Sequence, residues 1–456
     1  MMASELKYGN QATTKLESGI IDQDSASQEK PVEYASTALP ETNLDKGIIG
    51  WDGQDDPDMP LNWTKSKKWT SALLLSLMTL MTPLSSSILA PSIASVSKEF
   101  APSLESLIAF RFLAGVGGSA VMTLGGGSIS DVFHREERGL GLAIWSIGIV
   151  IGPSLGPLIG AFVAETIGWR WNGWIVLIPS AVVAVLMAIF CPESHHKVLM
   201  QRKVARMKQT LGREDLLSCY AISEAAPSQS QVLINGMMRP LKMMTLSPIV
   251  VSLSFHASFL YGTLYLLFNT ISAVFRGKYG WSLGRSGLAY IPLGLGFIFG
   301  LALFAKTSDR TIVRLTQQNG GVFLPEMRLA NSMWYACLVP SSFFWYGWTV
   351  QYKVHWIVPL LGLFPFAVGI VGVWQCYQAY LVDAFGSQYA ASALAAFTVL
   401  RSVVAAFLPL AGPSMFKELG LGWGCSLLGF ITVAMIPIPA LVERKGAWLR
   451  SKYILS

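Results

Sequence analysis

Charge is what this sequence has least of. Only 13% of its 456 residues are Asp, Glu, Lys or Arg, about half the roughly 25% of an average soluble domain, while 52% are hydrophobic. A soluble globular chain is excluded, and an integral membrane protein is indicated. Cysteine is scarce too. Cys191, Cys219, Cys337, Cys376 and Cys425 stand apart without CxxC or metal-like spacing, which argues against both a disulfide framework and a zinc site. The one adjacent histidine pair, His195-His196, lies in a polar loop and reads as solvated, since a metal tract needs more donors. No HExxH, serine-nucleophile motif or pair of acids falls within an apolar run, so no enzyme, metal or cofactor is expected. Residues 1–67 hold no apolar run long enough for a signal peptide. Rich in Ser, Glu, Asp and Gln, they are expected to form a disordered cytosolic tail.

What is present is a series of apolar segments of spanning length, near 69–92, 106–129, 139–163, 171–191, 247–273, 286–305, 331–350, 355–381, 389–412 and 421–442. The net charge of +7 could suggest nucleic acid, but the basic residues fall between these segments, where topology explains them better. With both termini in the cytosol, Lys65, Lys67, Lys68, Arg135, Arg138, Lys306, Arg310, Arg314, Arg328 and the bases of the central loop and C-terminus share one side. Lys98, Arg170, Arg276, Lys278, Arg285, Lys353 and Lys417 are left on the other, a roughly threefold excess that obeys the positive-inside rule. The expected organisation is a tail (1–67), an N-terminal bundle (68–191), a cytosolic loop (192–246), a C-terminal bundle (247–442) and a short tail (443–456). In the loop, Met200, Val204, Met207 and Leu211 share one helical face and Arg202, Lys203, Arg206 and Lys208 take others. That pattern predicts a basic amphipathic helix on the anionic leaflet.

One apolar stretch is unusual. Gly152-Pro153 and Gly156-Pro157 lie four apart, and Gly148 and Gly160 extend the row, so four glycines share one face. Such a face admits a close helix neighbour, and the prolines predict a kink beside it. The run closely resembles the antiporter motif of major facilitator transporters that export drugs and metabolites, with Ala161 in place of the last glycine. Other residues extend the likeness. Trp51-Asp52-Gly53, Asp55-Asp56-Pro57 and Asn62-Trp63 resemble the signature before the first span in the fungal drug:proton antiporter group. Leu107, Arg111, Gly115 and Gly117-Gly118-Ser119-Ala120 look like its fourth-span arginine motif. Ser308-Asp309-Arg310 and Arg314 resemble the C-terminal copy of its gate motif, which implies an ion-paired conformational lock. Ser130-Asp131-Val132-Phe133 and Val382-Asp383-Ala384-Phe385 hint at an internal repeat.

The resemblance implies an all-α membrane protein of the major facilitator fold. That family has twelve spans, and this sequence has ten: Phe100 runs straight into Ala101 where the second and third spans would lie. The N-terminal half is thus expected to be shortened from six helices to four. Residues expected to gate transport are Arg111, Gly148, Gly152, Pro153, Gly156, Pro157, Gly160, Asp309, Arg310 and Arg314. Tyr261, Tyr265 and Asn269 recur at i, i+4, i+8, and Gln375 and Gln378 at i, i+3. With Arg401, a charge twelve residues into its span, they are the expected lining of a substrate cavity. For each, an interhelical hydrogen bond that holds the bundle together is the competing role. No Asp or Glu lies mid-span, so proton coupling rests on the resemblance alone. The expected function is export of a drug-like or secondary-metabolite molecule across the plasma membrane by a monomer, with proton antiport. The alternatives are polyamine export, disfavoured by the lack of mid-span carboxylates, and a truncated protein that does not transport.

Overall fold

A computed structural model describes residues 39–99, 104–220 and 229–453. They are almost wholly helical: α1 (Lys65–Ser87), α2 (Ile93–Glu99), α3 (Leu104–Val132), α4 (Arg135–Thr166), α5 (Trp171–Phe190), α6 (His196–Leu211), α7 (Gln229–Leu246), α8 (Pro248–Tyr279), α9 (Leu283–Gly287), α10 (Ile291–Gln318), α11 (Ser332–Gln351), α12 (Ile357–Met435) and α13 (Pro437–Tyr453). Long apolar runs become helices because lipid offers no partner for backbone N–H and C=O groups, and the helix satisfies them internally. The ends follow local chemistry. α8 begins with Pro248 in its first turn and the Ser247 hydroxyl accepting from Val250 N, and ends at Gly280 with φ 69°.

Among the described residues, eight helices are long and apolar enough to cross a membrane, against ten expected segments. The difference lies in the C-terminal half. α11, with 20 residues, covers the expected span 331–350 but is interrupted by polar and small side chains. One continuous apolar stretch, Tyr389–Arg450, covers the last two expected segments. Within the 79 residues of α12, two glycines leave helical geometry, Gly386 at φ 62° and Gly420 at φ 72°. Such left-handed φ values are open to glycine and costly for a side chain with Cβ, so these residues divide α12 into separate rods. The last helix also runs on through Tyr453, past the tail boundary expected at 443.

The chain forms two compact units. The smaller comprises residues 1–56 with 200–223, of which 39–56 and 200–220 are described. Strand β1 (Ile48–Ile49) pairs in parallel with β2 (Leu217–Ser218). Trp51 is buried, and its Nε1 donates to the Tyr220 hydroxyl at 3.1 Å. Burial pushes the Tyr220 hydroxyl and the neighbouring Cys219 thiol up from their ordinary pKa values. Lys203 Nζ sits 2.7 Å from Asp52 and 3.6 Å from Asp56. Residues 39–56, expected within a disordered tail, hold the pairing with β2, while 1–38 lie outside the described residues. On the apolar face of α6, Met200 and Val204 are buried and Leu211 is 45% exposed, so the stripe expected on a lipid leaflet is covered at its start and open at its end.

The larger unit, residues 57–199 and 224–456, holds all the long helices. Its C-terminal half packs a continuous core that includes Leu253, Phe268, Tyr290, Phe343, Phe366 and Tyr377. Among the described residues, the N-terminal half has a small cluster of Trp63, Ala72, Ile129, Val132 and Phe133. α3 exposes Ile108, Phe110, Phe112, Leu113 and Leu124. At Gly115, Gly117 and Gly127 on the same helix, an added Cβ would meet nothing within 4 Å. The junction at Phe100 and Ala101 lies outside the described residues.

Candidate functional site

α4 is packed on two sides. Its glycine row faces α1, for a Cβ on Gly148 would lie 2.6 Å from Ser76 O, and one on Gly152 2.6 Å from Pro83 Cγ. On Gly156 and Gly160 it would collide with Ser87 and the Ile88 carbonyl. No side chain fits there, and the two backbones pack directly. Ser76 Oγ donates to Ile144 O at 2.8 Å and Trp145 Nε1 donates to Thr79 Oγ1 at 2.9 Å, which ties the pair further. Pro153 is half-buried and Pro157 buried in the same helix.

The other side of α4 meets the C-terminal half. The Cβ positions of Gly287 and Gly294 would lie 2.8 Å from Ala161 Cβ and 3.0 Å from Ser154 Cβ. Glu165 Oε2 accepts a hydrogen bond of 2.9 Å from Gly284 N. Ser154, Ala161 and Glu165 keep near-helical spacing, so one stripe of α4 faces the small residues of α9 and α10. The departure of this chain from a glycine at position 161 falls at this contact. Pairing of α4 with α1 was implied by no motif, since spacing defines a face and not its partner.

A small cavity lies between α8 and two segments of α12, lined by Ala257, Tyr261, Val373, Trp374, Phe397 and Arg401 among others. Arg401 is 7% exposed. Its guanidinium carbon stands 4.3 Å from the centre of the Tyr261 ring and 4.1 Å from that of Trp374. Arg401 Nε and Nη1 and Trp374 Nε1 are buried with no hydrogen-bond partner. The two cation–π contacts contribute up to about 2 kcal/mol each when desolvated. Removing a charge from water costs several kcal/mol, so the rings offset only part of that cost. Tyr265 packs on Tyr261 with ring centres 5.1 Å apart, and its hydroxyl is 3.1 Å from Ser86 Oγ on α1. The aromatic wall therefore touches the N-terminal half.

The remaining expected residues divide. Arg111 is half-buried and donates to Ser85 O at 3.2 Å, next to the serine that meets Tyr265. Asn269 is exposed, Gln375 and Gln378 are half-buried, and none of the three lines the cavity. Asp309, Arg310 and Arg314 are exposed and form no ion pair among the described residues. Ion pairs form elsewhere, between Arg328 and Asp383 at 2.6 Å and between Arg450 and Glu326 at 2.9 Å. His196 Nε2 lies 3.0 Å from Asp131 O, so this histidine is tied to α3 instead of free in solvent. Trp374, Arg328, Glu326 and Arg450 were missed. An aromatic in an apolar run carries no signal of its own, and acids and bases far apart in sequence do not announce their pairing.

The Major Facilitator Superfamily profile matches residues 66–409. The chain belongs to the major facilitator superfamily. It is 37% identical to an efflux pump, radE, of Floropilus chiversii, over 93% of this chain and 89% of that protein. It is 36% identical to the transporter fsdG of Fusarium heterosporum, over 98% of both. Among solved structures, a bacterial homologue of the human lysosomal transporter Spinster, inward-facing and occupied, overlays with a TM-score of 0.53. It covers 86% of this chain and 100% of that one at 13% identity, which shows a shared fold. As a major facilitator the chain is a multi-pass membrane transporter and not an enzyme, and small-molecule transport across a membrane follows from the family.

Proposed function

We propose that this transporter exports a drug-like or secondary-metabolite molecule by alternating access, as a monomer in the plasma membrane with both termini cytosolic. The observation that carries the reading is the aromatic cavity at Arg401, whose wall reaches Ser86 of the opposite half through Tyr265. A site that touches both halves is remade each time they rock. The kinship with an efflux pump supports outward transport, and the distribution of Lys and Arg supports the orientation. A polyamine is disfavoured, because the buried charge in the cavity is positive.

Proton antiport is the coupling implied by the resemblance. Carboxylates at helix ends, such as Glu165 and Asp383, are the available carriers, since no Asp or Glu lies mid-span.

A second reading, a chain without its second and third spans that does not transport, has support of its own. The match to the Fusarium heterosporum protein runs over 510 aligned positions, more than the 456 residues present here. The unfilled glycines and exposed apolar residues of α3 suit a helix that has lost its neighbours.

One experiment separates the readings. Cells expressing this chain are loaded with an anionic dye, fluorescein, and a cationic one, rhodamine 6G, and followed for loss of fluorescence. Export predicts faster loss of at least one dye, and antiport predicts that a protonophore abolishes the gain. Unchanged retention of both, with the protein present in the membrane, would favour the truncated reading. Sequencing the transcript across the codons for Phe100 and Ala101 would then show whether an in-frame segment has been left out.

A further inference from the structure

We infer that the cavity at Arg401 is an oxyanion site, and that the cargo is an organic anion carrying a carboxylate or a similar planar acid on an apolar, aromatic body. The inference rests on the reading of this cavity as the cargo site. The buried hydrogen-bonding groups left without partners here, Arg401 Nε, Arg401 Nη1 and Trp374 Nε1, are all donors. A site with a surplus of donors is completed by an acceptor. A neutral alcohol or amide would satisfy some of these groups but would leave the positive charge without a counter-ion. An amine or polyamine would add charge of the same sign. A carboxylate matches the guanidinium edge, which presents parallel N–H groups at the spacing of its two oxygens.

The surroundings support the same assignment. The guanidinium carbon lies 4.3 and 4.1 Å from the ring centres of Tyr261 and Trp374, whose planes meet at 76°, so the charge sits in an aromatic corner whose ring faces carry no counter-ion. Among the described residues no carboxylate pairs with it, and the salt bridges of this half join Arg328 with Asp383 and Arg450 with Glu326. The void at Arg401 is about 10 Å³, room for about one water, so the acid group docks here and the hydrocarbon body takes the wider space that opens when the halves part.

The test measures binding and leaves transport aside, so its outcome is independent of whether the chain exports. The full-length protein in lipid nanodiscs is titrated with naphthalene-2-carboxylate, its methyl ester and 2-naphthylmethylamine, each isotopically labelled. The acid is expected to bind at least about tenfold more tightly than the ester, as a charge-assisted pair implies, and the amine more weakly still. Arg401→Gln is expected to bring acid and ester within about twofold of each other. If that variant does not fold, Trp374→Phe keeps the ring and removes one donor, and is expected to weaken the acid several-fold while leaving the ester unchanged. Equal binding of acid and ester by the unaltered protein, preference for the amine, or no binding of any of the three would overturn the inference. Preference for the acid alongside unchanged dye retention in cells would sink the export reading and leave the anion site standing.

Discussion

The residue that most constrains the chemistry is a buried arginine packed against two aromatic rings. Its position twelve residues into an apolar run marks it in the sequence as a suspect, because charge inside a membrane is costly. What the run cannot show is the company it keeps: Tyr261 is visible as part of a polar stripe, whereas Trp374 is one aromatic among many. The glycines show the same limit. Their spacing reveals a smooth face, and only the packing reveals that Gly156 has Ser87 and Leu84 against it while Gly115 has open space. Gly156→Val should therefore lower the stability of the detergent-solubilised protein by about 1–3 kcal/mol or more through overpacking. Gly115→Ala should be neutral or gain about 0.5–1 kcal/mol through helix propensity. Thermal melts followed by thiol-reactive fluorescence would compare them, and equal loss in both variants would contradict the packing described.

Among the elements, α4 is the one on which both halves depend. Its glycine side is spent on α1 and its other side on α9 and α10, so the motif read from the sequence organises the N-terminal half while its neighbouring stripe forms the joint. The expected gate in α10 is different. Asp309, Arg310 and Arg314 face outward from the protein, and the ion pairs lie in the short helical turn Pro325–Leu329, which ties α12 and α13. Arg328→Glu should cost about 1.5–3 kcal/mol, the range for hydrogen bonds to charged groups. Combining it with Asp383→Arg should recover much of the loss. A double-mutant cycle on the melting temperature reads this coupling, and a double variant no better than the sum of its parts would show that the pair contributes nothing.

At the scale of the whole molecule, the membrane class was legible because apolar runs of spanning length survive any detail of packing. The boundaries expected between 381 and 389 and between 412 and 421 bracket Gly386 and Gly420, where α12 breaks; what the sequence does not show is that these glycines take the break, since a glycine looks the same whether its φ is negative or positive. Between the halves, the bond from Gly284 N to Glu165 joins a stripe that must part if the protein alternates. With Glu165→Cys and Gly284→Cys in one chain, a bifunctional thiol cross-linker should stop any export of a dye that the uncross-linked protein clears. A cleavable linker should restore it on cleavage. Persisting export in fully cross-linked protein would argue that this joint does not move.

The two-stranded pairing of Ile48–Ile49 with Leu217–Ser218 has a topological effect. It joins the chain ahead of α1 to the chain after α6, so the residues between the two strands form one closed loop along the sequence. Once that pairing has formed, the unfolded segment between its ends has fewer arrangements left to lose.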